Sequence, residues 1–337
     1  MGVFFKKRWV RNILLAVALL IVTVVLLARP LASKSRDIAW GVTFAHPFAK
    51  QFGLPWQDVY RAILDDLGVR DIRLVAYWDQ IEVVPGTYVF DDLDWMLDGA
   101  AEKNARVILA MGRKVPRWPE CHIPKWAADE SKELQDRQLL DYLRVVMSRY
   151  EDHPAIAAWQ IENEPFLGFG ECPPIDPAFL DTEIALAREF PRHPVLVTDS
   201  GEIGTWYRAA KRGDVFGTTM YRQIQKDGIG TFTYPIPPSF FRIKQRIARA
   251  LLWDFEKEFV VIELQGEPWM KLQLYETDPD VQRELLSPEK LDQYMRYAIA
   301  ADFSTYYVWG VEWWYWLKTN HNDSRYWDYM RALIADN

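Results

Sequence analysis

Eight short apolar runs recur along residues 37–337, and their regular spacing limits what this chain can become. They read DIAWGVTF (37–44), DIRLVAYW (71–78), ARVILAMG (105–112), AIAAWQIE (155–162), PVLVTDS (194–200), DVFGTTMY (214–221), FVVIEL (259–264) and STYYVWGV (304–311). Between and after them lie stretches with apolar spacing of three and four, at about 56–67, 91–104, 131–150, 177–190, 203–212, 238–256, 288–301 and 323–335. Several of these open after Asp, Ser or Pro, as helices do. Strands that are apolar on both faces belong in a parallel sheet covered by helices. Eight such units in series predict an α/β protein, a single-domain (β/α)8 TIM barrel. An open doubly wound sheet would place a glycine-rich turn after its first strand, and GVTFAHPF is not one.

The first 36 residues stand apart. Lys6, Lys7, Arg8 and Arg11 precede an unbroken apolar run, Ile13 to Ala28, followed by Arg29 and Pro30. Its length fits a long signal-peptide core or a short membrane span. With Pro30 where a cleavage site needs a small residue, the reading favours an uncleaved N-terminal membrane-anchor helix over a cleaved signal peptide. Residues 1–36 are then a basic cytoplasmic stub, anchor and linker, in contact with the lipid bilayer through residues 13–28. The basic cluster keeps the N-terminus inside and sends residues 37–337 out of the cytoplasm. That segment holds seven of the 40 Lys+Arg and none of the 47 Asp+Glu, so the rest carries 33 against 47, a net −14. An ectodomain this acidic argues against nucleic acid and polyanionic substrates. No metal-ligand spacing appears among the five His and two Cys. No cofactor and no obligate protein partner are therefore expected.

In a barrel of this kind the chemistry sits at the C-terminal ends of the strands. WQIENEP (159–165) closes the fourth strand and offers Glu162 and Glu164; VVIELQGEPW closes the seventh and offers Glu263. Glu164 and Glu263 lie 99 positions apart, close to three βα units, so both should reach one mouth. Two carboxyls facing each other across a cleft are what glycoside hydrolysis needs: one protonates the leaving oxygen while the other attacks the anomeric carbon or activates water.

A strand-four Asn-Glu-Pro with a strand-seven Glu resembles clan A of the glycoside hydrolases, the retaining (β/α)8 group that includes families five, thirty-nine and forty-two. The stretch AYWDQIEVVPGTYVFDDLDWML (76–97) is similar to the W-x-x-x-E-x-x-x-G-x-Y-x-F-x-x-L-D segment of several members. The resemblance covers nearly all of residues 37–337. It implies that Glu164 is the acid/base, Glu263 the nucleophile, and Asn163 a ligand of the sugar 2-hydroxyl. Arg73 would hold Glu263 ionised, and Tyr221 would hydrogen-bond it. Glu162 then points into the mouth or into a structural network. The substrate implied is a β-linked oligo- or polysaccharide or glycoside. A transglycosylase, or a silent glycan-binding barrel, would use the same framework.

Departures from the family pattern leave the sugar open. The third strand ends AMGRKVPRW without the histidine of family five, and Thr219 stands where its sixth-strand histidine would be. Among the 16 Trp, Trp78, Trp269, Trp313 and Trp314 are candidates for a sugar platform, though each also reads as core. His46 and His122 fall in expected mouth loops. Cys121 and Cys172 fall in the neighbouring third and fourth loops, which predicts a disulfide in an oxidising compartment.

Overall fold

A computed structural model describes residues 38–336 except 174, 227 and 229, together with residues 9, 12, 13 and 17. The expected anchor at 13–28 lies almost wholly outside the described residues, among which no helix is long and apolar enough to cross a membrane.

The eight apolar runs form β1 (Ala39–Thr43), β2 (Asp71–Tyr77), β3 (Arg106–Gly112), β4 (Ile156–Ile161), β5 (Val195–Asp199), β6 (Val215–Met220), β9 (Glu258–Gln265) and β10 (Thr305–Trp309). They are parallel and close into one barrel, with β10 pairing β1 along its whole length. Outside the barrel, β7 (Gln223–Lys226) and β8 (Gly230–Thr233) make an antiparallel hairpin in the connection after β6. The expected helix at 203–212 shrinks to a single turn, Tyr207–Ala210.

Burial follows two layers. Between strands and helices lies a large core that takes the outward residues of each strand. Inside the barrel, Ile108, Ala158, Leu196, Val260, Ile262 and Tyr307 form a separate plug. The register of β9 slips by one residue against both neighbours, so that Thr218 faces Val261 while Thr219 faces Glu263. Such a bulge reverses the alternation of side chains. Val260 and Ile262 fill the plug, Val261 and Leu264 join the outer core, and Glu263 comes out on the inner side, above the plug.

Trp78, Trp313 and Trp314 are not a sugar platform. Gly310, at φ +116°, ends β10 and turns the chain into the helix Val311–Asn320. Trp313 and Trp314 therefore ride on a helix, fully buried, and their indole N–H groups donate to Gln282 Oε1 (2.5 Å) and the Gly266 carbonyl (2.7 Å). Trp78 opens another short helix, is equally buried, stacks on Tyr142 and donates to Glu82 Oε2 at 2.7 Å. The other oxygen of Glu82 accepts from the Gly86 amide at 2.8 Å, which explains the W-x-x-x-E-x-x-x-G pattern as a loop clamp.

Candidate active site

Arg73 organises the mouth. Its side chain, fully buried on β2, donates from Nη1 to Glu263 Oε1 (2.7 Å), from Nη2 to Asn163 Oδ1 (2.8 Å) and from Nε to Gln160 Oε1 (2.8 Å). One guanidinium thus ties β2, β4 and β9 together in the fork geometry that suits carboxylates. The second oxygen of Glu263 accepts from the Tyr221 hydroxyl at 3.0 Å. Both oxygens of Glu263 are held, one by a cation and one by a neutral donor.

Glu164 sits just beyond β4 at φ +43°, with its amide donating to Thr198 Oγ1 (2.7 Å) and its carbonyl accepting from Lys114 Nζ (3.0 Å). Glu162, at φ +56°, shares this left-handed conformation, so the strain marks the turn that ends β4 and not Glu164 alone. Among the described residues no cation pairs with the Glu164 carboxyl; the Thr219 hydroxyl donates to it at 3.3 Å. Burial first, then the charges of Glu263 and Glu120, push its pKa well above the ordinary carboxylate range. The amide nitrogen of Asn163 is buried and has no partner among the described residues, so a donor remains free beside both carboxyls.

Glu162 faces a different neighbourhood. Its carboxyl accepts from the amides of Arg113 (3.0 Å) and Lys114 (2.7 Å), and it interacts with Glu183 from the helix Pro177–Ala187. Burial is the first cause of the raised pKa of both groups, and the charge of Glu162 adds to that of Glu183. Gly112 makes room for it: at φ +144°, an added Cβ would lie 2.6 Å from the Glu162 carboxyl carbon. The residue two before Glu164 belongs to the structural network.

A cavity of about 960 Å³ opens beside this cluster and reaches it at Tyr221 and Glu120. Trp269 lines it with its ring edge-on to Tyr221 at 5.0 Å. Trp309, the last residue of β10, lines the far wall and takes the place expected of Trp313 and Trp314. Its indole donates to Glu267 (2.7 Å), and the Arg117 guanidinium lies between the rings of Trp309 (4.0 Å) and Phe48 (3.8 Å). Arg117 pairs with Glu267 and with the buried Glu312. His46 is not part of the wall: its ring packs on Trp56 and Tyr77, hydrogen-bonds Gln80 at 3.1 Å, and is kept neutral by burial, which lowers its pKa to about 4.

Three wall residues escaped the sequence reading: Glu120, Glu267 and Arg117. Glu120 is the most telling. It is buried, its Oε2 has no hydrogen-bond partner among the described residues, and Lys114 Nζ stands 3.7 Å away. Burial raises its pKa to about 8 against the pull of Lys114. The only signal in the sequence was its place next to Cys121, which is bonded to Cys172 as expected, with Cα atoms 4.8 Å apart.

No family model matches the chain, and no curated protein matches it in sequence. Solved structures do resemble it. A β-galactosidase from the psychrophilic Marinomonas ef1 superposes with a TM-score of 0.57 at 14% identity, over 80% of this chain and 54% of its own. GH5_18 from Bifidobacterium longum subsp. longum gives 0.59 at 13% identity, over 81% and 69%. An exo-β-1,4-mannosidase from Opitutaceae bacterium strain TAV5 gives 0.58 at 15% identity, over 83% and 53%. This chain spans about half the length of the β-galactosidase and the mannosidase. At such identity these likenesses show the barrel fold.

Proposed function

We propose that residues 37–337 are a retaining O-glycoside hydrolase of clan A type, acting on β-linked glycans by double displacement, and that residues 1–36 tether it to a membrane with the barrel outside the cytoplasm. The observation that carries the reading is the unequal treatment of two carboxyls in one mouth: Glu263 is paired with Arg73 and Tyr221, while Glu164 has no cation on its carboxyl among the described residues and a raised pKa. Pushing two titratable groups apart in this way is how an acid and a nucleophile are assigned at one pH. The names of the structural neighbours, among them a β-galactosidase and a β-mannosidase, favour β-linked sugars as substrate.

In the first step a Glu263 oxygen forms a bond to the anomeric carbon as the glycosidic bond breaks, and Glu164 gives its proton to the leaving oxygen. Arg73 keeps one oxygen of Glu263 engaged, so the carboxylate attacks from a fixed position. In the second step Glu164, now a carboxylate, takes a proton from water, which displaces Glu263 and restores both groups. The free amide nitrogen of Asn163 would donate to a sugar hydroxyl next to the reacting carbon. Trp269 and Trp309 offer ring surface in the cavity, which suits the apolar faces of sugar rings.

Turnover of a panel of aryl β-glycosides by the full-length chain, with Glu164→Gln and Glu263→Gln beside it, tests the proposal. Hydrolysis lost in both variants supports it and names the sugar. Product of inverted anomeric configuration, or hydrolysis unchanged in Glu263→Gln, overturns it.

A further inference from the structure

The helix Pro238–Leu252 is apolar on two sides. Phe241 and Ala248 are buried against the barrel, yet Ile247 and Leu251, one turn apart on the other side, are 45% and 60% exposed. Just past the helix, Trp253 is 86% and Phe255 61% exposed. Contiguous large apolar side chains in solvent mark a binding surface more often than chance. Trp253 adds a second sign: it caps the helix in the left-handed conformation (φ 54°, ψ 28°), a position glycine usually takes. Placing a bulky residue there is strained, and here it leaves an indole in solvent.

The patch lies at a particular end of the molecule. Phe255 precedes the start of β9, residue 38 precedes the start of β1, and the barrel strands are parallel with only β10 between β9 and β1. The exposed rings and the chain's entry into the barrel therefore share the end opposite the mouth. From residue 38 the sequence leads back over residues 29–37, a reach of at most about 30 Å, to the apolar run 13–28.

We infer that this end of the barrel docks on a bilayer, with Ile247, Leu251, Trp253 and Phe255 seated at headgroup level and the catalytic mouth turned to the water. The inference rests on the membrane tether in the proposed function, not on the glycosidase chemistry. A tether makes docking intramolecular, so a small patch is enough. A second copy is the weaker occupant, since four side chains fall short of the roughly 800 Å² per partner of a stable interface. Trp is the residue most at home between headgroups and acyl chains. An eight-residue strand spans roughly 26 Å along its axis, so the mouth would stand about 20 Å above the surface.

The test uses the full-length chain reconstituted in vesicles of phosphatidylcholine and phosphatidylglycerol. Cys121 and Cys172 are bonded to each other, so Trp253→Cys offers one thiol for an environment-sensitive fluorophore, and Leu272→Cys, 61% exposed at the mouth, serves as the comparison. Nitroxide lipids should quench the label at 253 at least twofold and leave the label at 272 unchanged. A chain that stays with the vesicles through an alkaline wash but is unquenched at 253 overturns the docking. So does quenching at 272 alone, which would put the mouth on the membrane, or a blue shift at 253 without quenching, which would mean a second copy covers it. A chain that washes off overturns the tether, and the docking with it.

Discussion

Glu162 and Glu164 are two residues apart in sequence, both nearly sealed from solvent, and the barrel uses them in opposite ways. Glu162 spends its oxygens on two backbone amides and leans on Glu183 behind the sheet, where no described cavity reaches it. Glu164 has one weak donor on its carboxyl, faces Glu263, and stands beside a cavity that Tyr221 and Glu120 connect to it. Burial raises both pKa values, so burial does not separate them. What separates them is satisfaction: a carboxyl whose hydrogen bonds are complete holds structure together, whereas one left short of partners is available to a substrate.

The largest effects should fall on the two carboxyls at the mouth. Glu263→Gln is expected to lower kcat on the order of 10⁴-fold or more, as loss of a nucleophile does. Glu164→Gln should cost roughly 10²- to 10⁴-fold and remove the alkaline limb of the pH–rate profile, because its proton is the one lost as pH rises. Glu162→Gln should keep kcat within about tenfold while lowering stability by about 1–3 kcal/mol in denaturant titrations, since two amides lose a charged acceptor. If Glu162→Gln is the inactive one, the contrast is wrong.

Gly112→Ala attacks Glu162 from below. An added methyl at φ +144° must push the Glu162 carboxyl off its amides, and a loss of about 2–3 kcal/mol is expected by thermal or chemical unfolding. An unchanged midpoint would show that Glu162 has room to move.

The eight strands and the shared mouth of Glu164 and Glu263 were legible because unit spacing and strand ends are local facts, whereas the contacts of Arg73 and Tyr221 with Glu263 were implied only by the family resemblance. The bulge in β9 was not, since FVVIEL carries no mark of it, yet without it Glu263 would share a face with Val261. Trp313 and Trp314 misled for a related reason. Gly310 changes the period from strand to helix within WGVEWWYW, and a run of aromatics hides that change. Glu120, Glu267 and Arg117 reach the wall from loops, whose paths no periodicity predicts. The hairpin after β6 was also missed, although the Asp-Gly in QKDGIG is a turn signal.

The pH dependence of stability gives a gentler probe of the mouth. Glu120 keeps its proton in the folded chain up to about pH 8, and Glu202 up to about 7, whereas unfolded glutamates release theirs near 4.5. Across that window the unfolded state binds fewer protons, so stability is greatest near pH 4.5–5 and falls as pH rises toward 8. One such group contributes at most about 1.4 kcal/mol per pH unit. Denaturant titrations at pH 5, 6.5 and 8 should show the fall, and Glu120→Gln should flatten it; a rise in stability over this range would contradict the burial of these carboxyls. The smallest effect should separate the tryptophans. Trp269→Ala is expected to raise KM about tenfold, whereas Trp313→Phe should leave KM unchanged and lower only the unfolding temperature.

The Cys121–Cys172 bond joins the loops after β3 and β4, one residue from Glu120 and within the segment that follows Glu164. Gly170 packs so closely that a Cβ there would lie 2.8 Å from Cβ of Glu120. The wall beside the carboxyls is therefore finished by an oxidation rather than by folding alone. A chain kept among cellular thiols would carry every acid and base of the mouth and still lack its fixed edge.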